Sequence, residues 1–116
     1  MPSQGFGPPV PAGPAPYAPQ GPEFIAHDKK NSVIVDPQGV ALEVGGHLME
    51  FPWQDAAAVH FAPAPWGTIL MVAVVHRSGT TYECRVQAKK QSVLHRWLGE
   101  MAPVVHHYLA NRPPVH

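Results

Sequence analysis

The sequence predicts an α+β protein of mostly antiparallel β structure, in which six or seven strands form a barrel or sandwich that one C-terminal helix caps. Turn residues divide residues 32–87 into short segments that alternate apolar and polar side chains. The apolar period then changes to that of a helix, from about residue 90 to residue 110. A length of 116 residues with 45% hydrophobic side chains indicates one domain.

The two ends of the chain are predicted to lie outside this domain. Residues 1–22 hold eight of the fifteen prolines and no charged side chain, so they are predicted to be a disordered Pro/Gly-rich tail. This tail acts as a spacer or as a polyproline ligand, and a spacer is favoured. Residues 23–31 are a linker or an extra edge strand, although "EFIAHDKK" makes a poor strand candidate. The domain is predicted at 32–110, and 111–116 is a disordered C-terminus.

Two turn signals define a three-stranded meander. The sequence Asp-Pro-Gln-Gly at 36–39 is typical of a type I turn, and Gly-Gly at 45–46 marks the next reversal. The resulting register pairs Val35 with Val40, Val33 with Leu42, Leu42 with Met49 and Val40 with Phe51. One face then carries only apolar residues, and a slip of one residue would destroy that pattern.

The stretch "LMEFPWQDAAAVHF" at 48–61 has two interpretations. Helical spacing relates Trp53, Ala57 and His60, while Met49 and Phe51 continue the strand register. We choose two strands, because Val59 and Phe61 also alternate: one strand ends at Trp53, a bend follows at 54–55, and the next strand covers about 57–62.

The third hairpin covers 68–87 and is predicted to turn at Ser78-Gly79. A two-residue loop there pairs Val75 with Tyr82, Ala73 with Cys84 and Met71 with Val86 on the core face. It leaves an apolar stripe on the solvent face, where antiparallel sheets usually carry polar residues. The predicted interface is Leu70, Val72, Val74, His76 and Arg85. The alternative is that residues 23–30 or the opposing sheet cover this stripe.

The C-terminal helix is predicted from an apolar stripe: Leu94, Trp97, Leu98, Met101, Val105, Tyr108 and Leu109. Pro103 should kink or divide the helix, since it cannot donate to the carbonyl of Gly99. Asn111 followed by two prolines should end it.

No catalytic, cofactor-binding or metal-binding residue is predicted. The eight histidines lack metal-ligand spacing; they are His27, His47, His60, His76, His95, His106, His107 and His116. Cys84 falls on a core face, which favours a buried hydrophobe over a nucleophile. Asp55 and Glu50 are more simply a bend cap and a solvated side chain than an acid–base pair.

The net charge, the cysteine count and the N-terminal sequence bear on the binding partner and on the location of the protein in the cell. A formal net charge of zero argues against nucleic-acid binding. The single cysteine allows no intrachain disulfide, and the N-terminus lacks the pattern of a secretory signal, so we predict a cytoplasmic protein.

Three short motifs resemble those of bacterial pleckstrin-homology-like (PH-like) domains. They are Gly39-Val40 opening a strand, Pro52-Trp53-Gln54-Asp55 between two strands, and Trp97-Leu98 on the final helix. The resemblance implies two nearly orthogonal sheets with a helix plugging one end, and a binding module without catalysis. Phosphoinositide binding does not carry over, because no Lys or Arg stands between Val33 and Arg77.

The predicted function is therefore a non-catalytic interaction module rather than an enzyme. It binds an unknown protein partner or a second copy of itself through an exposed sheet face. The first alternative is a small-ligand or metal-binding protein with a pocket between sheet and helix. The second is binding to an anionic surface through the basic residues of 77–96, which are Arg77, Arg85, Lys89, Lys90 and Arg96.

Overall fold

The computed structural model describes residues 21–111, which form seven strands, a short 3-10 helix and one α-helix. The strands are β1 Phe24–His27, β2 Asn31–Asp36, β3 Gly39–Val44, β4 His47–Pro52, β5 Ala56–Pro63, β6 Ile69–His76 and β7 Thr81–Gln87; the 3-10 helix is Trp53–Asp55, and α1 is Gln91–Asn111. The predicted disordered ends, 1–22 and 111–116, lie outside the described residues except for 21, 22 and 111.

The strands form two antiparallel sheets, one in the order β1-β2-β3-β4 and the other in the order β5-β6-β7. β7 of the second sheet packs across β2 and β3 of the first, and α1 packs against β1, β2, β5 and β6. The predicted fold class is thus confirmed, as a sandwich whose sheets do not close into a barrel.

The predicted meander register is confirmed at all four pairs: Val33 with Leu42, Val35 with Val40, Leu42 with Met49, and Val40 with Phe51. At the β2–β3 turn, Oδ1 of Asp36 accepts hydrogen bonds from the N–H groups of Gln38 and Gly39, at 2.9 and 3.2 Å. Gly39 is required, because a Cβ there would overlap the carbonyl oxygen of Phe51. The short carboxylate side chain of Asp36 and the absence of a side chain at Gly39 therefore fix this register.

The seventh strand is β1, at the edge of the four-stranded sheet. Of the two alternatives for residues 23–31, the extra edge strand is thus the one observed, although the sequence of the segment makes a poor strand candidate. Ile25 pairs with Ile34 of β2, and Phe24 and Ala26 are buried on the core face. A strand of only four residues, with Pro22 two positions before it, gives a weak local signal. The strand forms because its backbone pairs with β2 and because Phe24 and Ala26 are buried in the core.

The stretch 48–61 folds as two strands joined at a bend, as predicted. β4 ends at Pro52, the 3-10 helix makes the bend, and β5 begins at Ala56. The indole Nε1 of Trp53 donates to the carbonyl of Asp36 at 2.7 Å, and the Trp53 side chain is buried. The bend is thereby tied to the β2–β3 turn across the end of the first sheet.

The predicted register of the third hairpin is wrong by one residue. Val72 pairs with Cys84, Val74 with Tyr82 and Leu70 with Val86. The loop has three residues, because the N–H of Gly79 donates to the carbonyl of His76 at 2.7 Å and the N–H of His76 donates to the carbonyl of Thr80 at 2.8 Å. Within this loop, Gly79 is the one residue with positive φ, at 99°. A two-residue primed turn with Ser78 as its first residue would need positive φ at Ser78 as well.

The helix runs unbroken through Pro103, so the predicted division does not occur. Gly99 and Pro103 are both exposed, and water can therefore satisfy the Gly99 carbonyl that proline leaves without a donor. The buried residues of α1 are Leu94, Trp97, Met101, Val104 and Val105.

Tyr108 fastens the last turns of α1 to the start of the described chain. Its ring stacks on Trp53 with centroids 5.1 Å apart, and its hydroxyl donates to the carbonyl of Pro22 at 2.6 Å. Burial, followed by the charges of Asp36 and Glu23, raises the pKa of the Tyr108 hydroxyl above its usual range, so this donor keeps its proton at neutral pH. Residues 21 and 22 therefore belong to the domain and not to the predicted tail.

Hydrogen bonds from polar side chains also join the two sheets where β7 crosses β2. Oδ2 of Asp28 accepts the N–H of Gln87 at 2.8 Å, and Nδ2 of Asn31 donates to the carbonyl of Arg85 at 2.7 Å. Burial acts to raise the pKa of the Asp28 carboxyl, but the N–H donors of Gln87, Lys30 and Asn31 outweigh it, and the pKa is lowered.

Candidate interaction surface

The solvent side of the three-stranded sheet carries three cross-strand rows of side chains. The rows are Ala58–Val75–Thr81, His60–Ala73–Glu83 and Ala62–Met71–Arg85. We call these nine residues the outer sheet face. Met71, Ala73 and Val75 of the central strand are half-buried, while the charged residues of β7 are exposed.

The structure corrects the predicted interface. Leu70, Val72 and Val74 are 0%, 1% and 0% exposed and lie in the core between the sheets. The stripe that was expected to face solvent faces inward because the loop contains one residue more than predicted. The apolar residues that do face outward are their neighbours in the sequence, Met71, Ala73 and Val75.

The other two predicted interface residues lie at different places on the same hairpin. Nδ1 of His76 accepts the N–H of Ser78 at 3.0 Å, so this ring stabilises the β6–β7 turn. Arg85 is exposed on the outer sheet face, where its Nη2 lies 3.9 Å from a carboxylate oxygen of Glu83. Arg85 therefore remains a candidate for the rim of an interface, whereas His76 has a structural role in the turn.

A shallow cleft of about 350 Å³ lies on the outer sheet face. Its walls include His60, Met71, Ala73, Glu83 and Arg85. An apolar floor with an imidazole, a carboxylate and a guanidinium at its edge is typical of a protein-binding surface with an apolar centre and a polar rim.

A second cleft lies between α1 and β5, where the alternative hypothesis places a ligand pocket. It has a volume of about 790 Å³ and is lined by apolar side chains together with His106. A third cleft lies at the β2–β3 turn, beside Glu50 and Gln54. The cleft beside α1 lacks the set of converging polar groups that fixes a small ligand in place.

The residues with nucleophilic or metal-binding chemistry do not assemble into a site in the described part of the chain. No group of three or more His, Cys, Asp or Glu side chains between residues 21 and 111 could hold a metal ion. Burial, with a smaller contribution from the charge of Asp28, raises the pKa of the Cys84 thiol to about 11. Cys84 is 2% exposed, and its thiol points at the carbonyls of Ser32 and Glu43, so it is a poor nucleophile.

The basic residues of 77–96 do not form one patch. Arg77 pairs with Asp55 at 3.3 Å, beside the turn that starts β7, whereas Lys89 and Lys90 follow the other end of that strand. Arg96 pairs with Glu100 along the helix. The basic patch predicted from all five residues to bind an anionic surface is therefore divided between different parts of the fold.

Comparison with known protein families, curated proteins and solved structures finds no match to this chain. Within residues 21–111, α1 and the 3-10 helix are too short or too polar to cross a lipid bilayer.

Proposed function

We propose that this protein is a non-catalytic interaction module of the PH-like kind, located in the bacterial cytoplasm. It binds a protein partner or a second copy of itself through the outer sheet face. Sheets of four and three antiparallel strands with one C-terminal helix support the PH-like assignment, because that layout is what the resemblance implies. Function is then argued from the surface and not from the fold.

The observation that carries the proposal is the pattern of β6. Its inward residues are core, yet its outward residues Met71, Ala73 and Val75 are also apolar. β7 shows the ordinary pattern, with Thr81, Glu83 and Arg85 turned outward. A solvated sheet needs apolar residues on one face only, so the second apolar face of β6 indicates a surface that another molecule covers.

The test is a charge placed at the centre of this face. Ala73→Lys sets an ammonium between His60 and Glu83, where a folded monomer tolerates it and an apolar contact does not. The matched control is Ala41→Lys, on the solvent side of the other sheet, where Glu50 is the cross-strand neighbour. We expect Ala73→Lys to abolish self-association in sedimentation velocity, or capture of a partner from the native cell, while Ala41→Lys changes neither.

Both variants must keep the wild-type circular dichroism and thermal midpoint for this comparison to count. The proposal fails if Ala73→Lys has the same mass distribution and retains the same partners as the wild-type chain and Ala41→Lys.

A further inference from the structure

The lysines of the chain gather at one end of the fold. The chain has four, Lys29 and Lys30 in the β1–β2 turn and Lys89 and Lys90 between β7 and α1. Asp28 ties these segments together: its Oδ1 accepts the N–H of Lys30 at 2.7 Å, and its Oδ2 accepts the N–H of Gln87 at 2.8 Å. The two lysine pairs are therefore held beside each other by backbone hydrogen bonds.

The β5–β6 loop joins the same end and presents a tryptophan. The carbonyl of Thr68 accepts the N–H of Ala88 at 2.7 Å, and the carbonyl of Gly67 accepts the side-chain amide of Gln91 at 3.3 Å. Trp66 in this loop is 78% exposed, more than the other exposed large hydrophobic side chains of the described residues, Leu48 at 59% and Ile25 at 49%. We call residues 28–30, 64–68 and 88–91 together the lysine end.

The charge of the lysine end is not neutralised within the domain. All four lysines are exposed and take part in none of the three ion pairs in residues 21–111, whereas each of the three arginines in that range does. Asp28 is the one acidic residue of the lysine end, and backbone N–H groups already occupy both of its oxygens. The lysine end thus carries four exposed lysine side chains without an ion-pair partner in the described residues, together with the exposed indole of Trp66.

Lys89 adds a second, independent observation. Its φ is 73°, and it is the one non-glycine residue with positive φ in the part of the chain that the structure describes. A side chain in this conformation costs stability that glycine would not cost. Strained backbone of this kind gathers at functional sites, and the residue that bears the strain here is one of the four lysines.

We propose that the lysine end binds the surface of an anionic phospholipid bilayer, with the ammonium groups on the headgroup phosphates and Trp66 in the interfacial layer. Lysine clusters next to a bilayer are attracted by anionic lipid, and tryptophan favours the depth of the headgroups. A protein partner fits less well, because lysine is depleted in protein–protein interfaces. Single-stranded nucleic acid needs a groove with several aromatic platforms, whereas the three clefts described above are lined by other residues and Trp66 is the sole aromatic here.

The test uses the full chain and vesicles of phosphatidylglycerol mixed with phosphatidylcholine, with pure phosphatidylcholine vesicles for comparison. We expect binding to the anionic vesicles alone, decreasing as salt is added. Binding should shift the tryptophan emission to shorter wavelength, and the shift reports on Trp66 because Trp53 and Trp97 are only 6% and 8% exposed before binding. Trp66→Ala should abolish the shift and weaken binding.

A pair of double variants tests whether the lysines of the lysine end, rather than positive charge elsewhere, bind the vesicles. Lys29→Gln with Lys30→Gln should weaken vesicle binding by about 25-fold, since each lysine near an anionic surface contributes about fivefold. The control, Arg77→Gln with Arg96→Gln, removes the same charge elsewhere and should leave binding within about twofold, because both arginines are exposed and already paired with carboxylates. A third variant, Lys89→Gly, removes one positive charge and also relieves the strained backbone at this position. It should weaken vesicle binding while keeping or raising the thermal midpoint, so that weaker binding cannot be attributed to a loss of stability.

The proposal is overturned if the chain fails to bind anionic vesicles at low salt. It is also overturned if the lysine variants bind as well as the arginine control, or if oligonucleotides bind the chain tightly and displace it from the vesicles.

Discussion

Val72→Lys is expected to unfold the domain, whereas Ala73→Lys is expected to leave it folded. Val72 is 1% exposed and pairs with Phe61 on one side and Cys84 on the other, inside the sandwich. A lysine there buries an ammonium group, and the described residues of the core include no polar or charged partner for it. The cost is several kcal/mol, which is comparable to the whole stability of a small domain.

Urea titration followed by circular dichroism measures this difference, with Ala73→Lys as the neighbouring control. If Val72→Lys kept the wild-type midpoint of unfolding while Ala73→Lys lost it, β6 would present the opposite face to the core and the outer sheet face would be misassigned.

Trp97→Ala is expected to lower the free energy of unfolding by about 3–5 kcal/mol, the cost of removing a large aromatic side chain from a core. Trp97 is 8% exposed, and it lies between Leu94 and Met101 on the buried stripe of α1. The helix packs on both sheets, so a cavity at this position weakens the packing between α1 and the two sheets.

The adjacent residue provides the control. Arg96→Ala removes an exposed side chain whose ion pair with Glu100 is a helical i, i+4 contact, and such pairs contribute about 0.3–0.5 kcal/mol. Equal effects of the two substitutions in urea titration would show that α1 is not part of the core.

The register of the first sheet could be predicted from the sequence, and that of the second sheet could not. At the β2–β3 turn, Asp36 and Gly39 allow one loop length, and β2 to β4 combine one wholly apolar face with a second face that mixes apolar and polar residues. At the β6–β7 turn, Ser78 and Gly79 are compatible with a two-residue or a three-residue loop. β6 is apolar on both faces, so its pattern does not distinguish the two registers.

The candidate site was misplaced for the same reason. The sequence of β6 shows apolar residues on both faces, but the loop length decides which face is buried. Similarly, β1 depends on its pairing with β2, and the lysine end depends on hydrogen bonds between segments 59 positions apart, from Asp28 to Gln87. Such contacts follow from the assembled fold and leave little local signal in the sequence.

The most direct test of the outer sheet face is the accessibility of a thiol at two neighbouring positions. In a Cys84→Ala background, Val72→Cys and Ala73→Cys each carry a single cysteine, and iodoacetamide labelling of the native proteins is followed by mass spectrometry. We predict that the thiol at 73 reacts within about tenfold of the rate in denaturant, while the thiol at 72 is protected on the order of 1000-fold or more, as expected when labelling needs the domain to unfold. Fast labelling at 72 with protection at 73 would contradict the register and, with it, the proposed interaction surface.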